Sequence, residues 1–266
     1  MKSILKHLKI FTVIYSARLG KDFSLPLFNQ VFQNIGSLCF FFVHLMAFKL
    51  IVDKFSFPGW SKPEMWTMLF TFEIFTYTSF FLFWKGLNYT VRDINSGAFD
   101  LIISKPVSSQ LITFFRGGGL HNLTASVLGL LFLMVFVFIN HINISVFSVV
   151  LYFFILALSL WTAYCIAISF ISLNFKYGRL DATVGAIFQV QEVYKYPSTI
   201  YSGLQVLFWF LVVSLSLFTT LPAVTLLLKP VDFSLVVVFI TTFFTATIIS
   251  QLLWRYSLRH YSSASS

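Results

Sequence analysis

Charge is scarce in this sequence: 10% of its 266 residues are Asp, Glu, Lys or Arg, and nine of these are acidic. A soluble chain of this length needs far more polar surface to cover its core, so an ordinary globular domain is excluded. Cysteine is nearly absent. Cys39 and Cys165 both sit inside apolar runs, where they are expected to pack as small hydrophobes rather than form a disulfide. Gly117, Gly118 and Gly119 form a glycine run, but no Gly-Lys-Ser/Thr follows, so a flexible approach to the next apolar run is expected there. No other phosphate-binding loop occurs, and the chain is not expected to hydrolyse ATP itself. His7, His44, His121, His141 and His260 are scattered without metal-ligand spacing. There is no nucleophile elbow and no carboxylate pair at a common membrane depth, which disfavours catalysis. No metal and no cofactor held by this chain are expected.

What is present is apolar length. Fifty-eight per cent of the residues are apolar, 35 of them phenylalanine, and the mean hydropathy is +0.86. They fall into runs near 25–52, 65–84, 120–139, 146–173 and 233–254, with a broken apolar region over 182–228. Crossing a hydrocarbon layer of about 30 Å takes about twenty helical residues. Backbone amides find no water in the bilayer, and these runs are continuous rather than alternating, so helices are expected and a barrel is not. The fold class is an all-α membrane protein with six transmembrane helices, forming a single domain over 1–266.

The net charge of +9 suggests nucleic acid in a soluble protein, but its placement points elsewhere. Lys2, Lys6, Lys9, Arg18 and Lys21 precede the first run, and Lys85, Arg92, Lys105 and Arg116 follow the second. Lys176 and Arg179 follow the fourth, and Arg255 and Arg259 follow the last, whereas the alternate loops hold few cations. That asymmetry predicts cytoplasmic termini in a bacterial inner membrane, with no nucleic-acid partner. Residues 1–22 read as an amphipathic interfacial helix, with Lys2, Lys6 and Lys9 on one face toward anionic lipid headgroups. The plainer reading is a basic flank that only sets orientation.

Residues 85–119 are the most polar internal stretch, too short for a domain and too long for a hairpin turn. A long cytoplasmic loop of this kind is the best candidate for a partner-docking surface. Residues 181–228 admit two arrangements: a polar loop followed by one crossing, or a crossing over about 179–196 followed by a re-entrant hairpin over 204–228.

Glu73 is the one acid in the middle of a well-defined run, where a charge costs at least ~2.5 kcal/mol on insertion scales. Thr76 and Tyr77 lie one turn on and are in reach to hydrogen-bond it. Glu73, Thr76 and Tyr77 either line a pathway for a polar or cationic substrate, or Glu73 is a protonated acid joining two helices. Ser159, Ala163 and Ala167 form a small-residue stripe suited to close helix packing, within the chain or against a second copy.

Three segments carry a resemblance. Residues 93–106 read Asp-Ile-Asn-Ser-Gly-Ala-Phe-Asp-Leu-Ile-Ile-Ser-Lys-Pro, which resembles the sequence after the second span of ABC-2-type permeases. Tyr196-Pro197 with Ile200-Tyr201, followed by Leu221-Pro222-Ala223, and the ending from Leu253 to Ala264 are similar to one bacterial subgroup of that family. The resemblance implies a permease subunit of an ATP-binding-cassette exporter. Two permease chains, identical or sister, would form the pathway, and separate ATPase subunits binding ATP and Mg would dock beneath. It implies coupling to the ATPase through Asp93, Ser96, Gly97, Asp100, Lys105 and Pro106, and it favours the re-entrant arrangement. The turn into Leu204 lacks the second proline that many members place between two re-entrant helices. Two other functions are set against this one: an accessory membrane subunit without a pathway, and a membrane-embedded enzyme.

Overall fold

The computed structural model describes residues 16, 20, 23–116, 118–177, 185, 187, 189–203 and 206–261. The expected interfacial helix over 1–22 lies almost wholly outside the described residues. Helix α1 (Leu27–Lys54) leads through a short loop to α2 (Lys62–Ser79), and α2 passes through a π-helical turn (Phe80–Trp84) into α3 (Lys85–Ser96). Two short helices follow, α4 (Asp100–Ile103) and α5 (Ser109–Phe115), before the long α6 (Leu120–Ile139) and α7 (Val146–Ser172). A turn of helix, α8 (Asn174–Tyr177), closes that pair. The chain then makes 3₁₀ segments at Gln191–Lys195 and Ser198–Gly203, and ends with α9 (Val206–Leu226) and α10 (Phe233–Arg259). No strand occurs among the described residues.

Local chemistry sets the helix starts. Ser61 and Glu64 form a reciprocal capping box at α2, and Ser145 and Ser148 do the same at α7. The Asp232 carboxylate accepts from the Ser234 amide at 3.0 Å to begin α10.

Among the described residues, four segments are long and apolar enough to cross a membrane: Leu27–Lys54, Leu120–Ile139, Val146–Lys176 and Phe233–Arg259. Helix α2 is not one of them, for a reason visible in its packing. Every residue from Thr67 to Tyr77 is buried within the chain, so α2 is the central helix and its composition answers to protein neighbours rather than to lipid. It packs most closely on α6, where a Cβ at Gly129 would lie 3.3 Å from the Ile74 side chain. Helix α7 is clasped by α9 and α10. Ser159, Ala163 and Ala167 are all buried there, so the small-residue stripe serves packing inside one chain.

Two boundaries differ from the sequence reading. Residues 85–96 belong to one helical rod that begins at Lys62, because the π turn lets the helix continue where polar residues take over. Residues 206–226 form one helix through Pro222. The chain on either side of that helix is tied to the loop between α1 and α2: Thr199 donates to the Pro58 carbonyl at 3.3 Å, and Lys229 to the Gly59 carbonyl at 2.7 Å.

Candidate functional site: a polar cavity and an exposed loop

The six residues expected to couple to a partner gather around the end of α3. Gly97 terminates that helix with φ of +76°, a left-handed conformation that glycine adopts without strain. The chain then turns into α4, and Phe99 is driven fully inside, at 0% exposure. Its ring meets Phe175 at 5.0 Å, Trp254 at 6.0 Å and Tyr261 at 6.0 Å, while the Trp254 indole donates to Ser109 at 3.0 Å. One side chain thereby joins α4 to α8, α10 and the C-terminal segment.

With Phe99 inward, the opposite side of the loop is exposed. Ser96, Asp100, Lys105 and Pro106 are open to solvent, and so are Leu101 and Ile103. An apolar pair flanked by one acid and one base is a mixed surface suited to a protein partner. Asp93 behaves differently from the other five. It is mostly covered, and its carboxylate accepts a hydrogen bond from Arg116 across the base of the loop. The sequence pattern found the loop but not Phe99 or Arg116, since nothing local marks a phenylalanine as the inward one.

The second constellation lies between α1 and α2. A cavity of ≈ 580 Å³ runs along Gln33, Ser37, Phe40 and His44 of α1, along Phe72, Thr76 and Tyr77 of α2, and along Phe80 of the π turn. The start of α6 closes it with His121 and Asn122, and the first 3₁₀ segment with Gln191 and Glu192. Gly119 makes room at that corner, because a Cβ there would fall 2.1 Å from the His121 ring.

Glu73 is completely buried behind this cavity, and its Oε1 lies 3.2 Å from His44 Nδ1. The hydrogen bonds expected from Thr76 and Tyr77 do not form. The Tyr77 hydroxyl donates instead to the Ser37 carbonyl at 3.0 Å, tying α2 to α1. The Thr76 hydroxyl and the second carboxylate oxygen of Glu73 are buried without a hydrogen-bond partner. His44, which looked isolated in sequence, is the neighbour of Glu73, because α1 and α2 run side by side. No cluster of three metal-ligating side chains occurs among the described residues.

A sequence model of the family described as ABC-2 family transporter protein matches residues 38–265. This chain belongs to the ABC-2 transporter family. The match spans every long helix from within α1 to the C-terminus, including the loop around Phe99. Permeases of this family generally work with ABC ATPase partners. No curated protein and no solved structure matches the chain.

Proposed function

We propose that this chain is the permease subunit of an ATP-driven exporter, in which two permease chains form the pathway and separate ATPase subunits supply the energy. The observation that carries this reading is the exposed ridge from Ser96 to Pro106, fixed to the bundle by Phe99 and continuous with α2 through an unbroken helical rod. A chain without its own nucleotide site is driven only through a surface that touches the ATPase, and the two sites then share one coupling free energy. ATP and Mg belong to the partner subunits, and this chain carries no catalytic group of its own.

The membrane arrangement follows from the same reading. The chain crosses a bacterial inner membrane six times with both termini and residues 85–119 cytoplasmic, in keeping with the distribution of Lys and Arg. The segment from Thr199 to Lys229 is re-entrant, starting and ending on the outer side, with the single helix Val206–Leu226 as its helical limb. Supporting this, Thr199 and Lys229 are both bonded to the loop between α1 and α2, which the charge pattern places outside. Glu73, Thr76 and Tyr77 belong to the pathway wall.

The test is co-expression with candidate ABC ATPase subunits from the same cell, followed by purification through a tag on the permease. Stoichiometric ATPase and permease-dependent ATP hydrolysis are expected. A permease that inserts normally yet retains no ATPase, with hydrolysis equal to that of the ATPase alone, rejects the reading.

A further inference from the structure

We propose that the cavity between α1 and α2 binds the ammonium group of an amine with an apolar, preferably aromatic, body. The proposal rests on the assignment of Glu73, Thr76 and Tyr77 to the pathway wall and gives that wall a ligand class.

The unsatisfied groups define the chemistry. Glu73 Oε2 and Thr76 Oγ1 sit one helical turn apart on α2, both buried and both without a partner. A buried polar atom left unpaired costs on the order of 1–3 kcal/mol, and more if it is charged. His44 holds Oε1 at 3.2 Å and thereby fixes the carboxyl while leaving Oε2 for a visitor. A carboxylate accepts and does not donate, and a threonine hydroxyl does both, so the pair is suited to a ligand with several N–H donors. An ammonium group has three.

The remaining charges agree with that sign. Glu192 is in the cavity lining and is ion-paired with Lys195, while Glu73 is buried behind the wall formed by His44 and Thr76. Lys195 also places its ammonium 5.4 Å from the centroid of Phe72, so a ring of this wall already faces a cation. Phe40, Tyr77 and Phe80 extend the aromatic surface along the same cavity. Cation–π attraction is strongest where water is excluded. From Gln33 to His44 the slot spans about 16 Å of helix, room for a hydrocarbon or aromatic body behind the headgroup. An anionic ligand would meet the acidic side chain of Glu192 in the lining, where no Lys or Arg stands among the described residues.

The full-length chain in lipid nanodiscs is incubated with three probes of matched body: 4-phenylbutylamine, 4-phenylbutanol and 4-phenylbutyrate. Equilibrium dialysis against empty nanodiscs removes simple partition into lipid. Saturable binding of the amine at about one per chain is expected, with the alcohol and the acid at least tenfold weaker. Glu73→Gln, which keeps the side chain's shape, should weaken amine binding at least tenfold and leave the alcohol unchanged. Thr76→Val should weaken amine binding about threefold, and it carries the test if Glu73→Gln does not insert. Equal binding of amine and alcohol, no binding above empty nanodiscs, or amine binding indifferent to the variants overturns the proposal. Because the assay contains no ATPase, intact amine binding with failed ATPase co-purification rejects the exporter reading alone. The converse result rejects the site alone.

Discussion

Arg116, at the end of α5, donates to the carboxylate of Asp93 in α3 and so closes the base of the exposed loop on itself. The Arg116 guanidinium also lies 5.8 Å from the centroid of Tyr89. Asp93 is therefore a positioning residue for the loop rather than part of its outward surface. Asp93→Lys should lower thermal stability and disturb ATPase coupling together, because it leaves two cations facing each other across a partly covered contact. The double variant Asp93→Arg/Arg116→Asp restores the pairing and should recover much of both losses. Detergent thermal melts and ATPase co-purification check this. A double variant as impaired as the single one shows that the pair does not hold the loop.

Asp100 makes the contrasting case. Its side chain is exposed beside Leu101, which is 70% open to solvent. Asp100→Lys should leave insertion unchanged while weakening ATPase co-purification and permease-stimulated hydrolysis severalfold. Reversing one charge at an interface works against complementarity. Wild-type coupling in this variant would remove Asp100 from the contact.

Sequence patterning was sufficient for the elements whose identity depends on solvent. The apolar runs of α1, α6, α7 and α10 are legible because lipid demands continuous apolar length, and the polar loop stands out against them. Relationships across helices were not legible. Nothing near His44 announces Glu73, and the pairing exists only because α1 and α2 are neighbours. Nor does local sequence separate inward Phe99 from the exposed phenylalanines of α1, since the two differ in tertiary surroundings alone. The end of the second run is not legible either: the rod continues to Ser96 because the π turn carries the helix from the buried apolar residues of α2 into the polar ones of α3.

Surface labelling tests the topology. In a chain lacking Cys39 and Cys165, single cysteines at Ser96 and Asn143, both exposed, should react with an impermeant reagent from opposite sides. For the segment before α9 the useful position is Thr199, because Ser198 is buried at 5% exposure. Thr199→Cys should label on intact cells together with Asn143→Cys. Labelling only after the membrane is opened would make residues 204–228 an ordinary crossing.

Glu64 supplies a pH signature. Burial alone would raise its carboxyl, but hydrogen bonds from Lys229 and from the backbone and side chain of Ser61, with the charge of Lys229, outweigh burial and hold it below the ordinary 4.5. Lys229 Nζ lies 2.9 Å from Glu64 Oε2. A lowered folded-state value means the stabilisation is complete above pH 4.5 and is lost as pH falls below it through the folded value. Glu64→Gln should be slightly less stable at neutral pH, by about 1 kcal/mol or less for so open a pair. Its melting temperature should also decline less than wild type's between about pH 5 and 3. Parallel curves for the two proteins would remove the ion pair from the acid-side loss.

Phe99 decides whether the loop acts as a lever or as a passive connector. Its ring is enclosed by Phe175, Trp254 and Tyr261, so movement of the loop is passed to α8 and α10 by contact between packed rings. Phe99→Ala empties that space, and truncations of this kind cost about 3–5 kcal/mol in well-packed cores. Phe99→Leu retains most of the volume and should cost less while blunting the edge-to-face ring contacts. If the anchor transmits force, Phe99→Leu should still bind the ATPase yet lower permease-stimulated hydrolysis and transport together. Such a split arises because docking uses the outward face and transmission the inward one. If the anchor only stabilises, Phe99→Leu should match wild type in both activities once protein amounts are equalised. Co-purification, hydrolysis and transport measured on one preparation distinguish the two, and wild-type coupling in Phe99→Leu would deny the ring any part in passing the movement on.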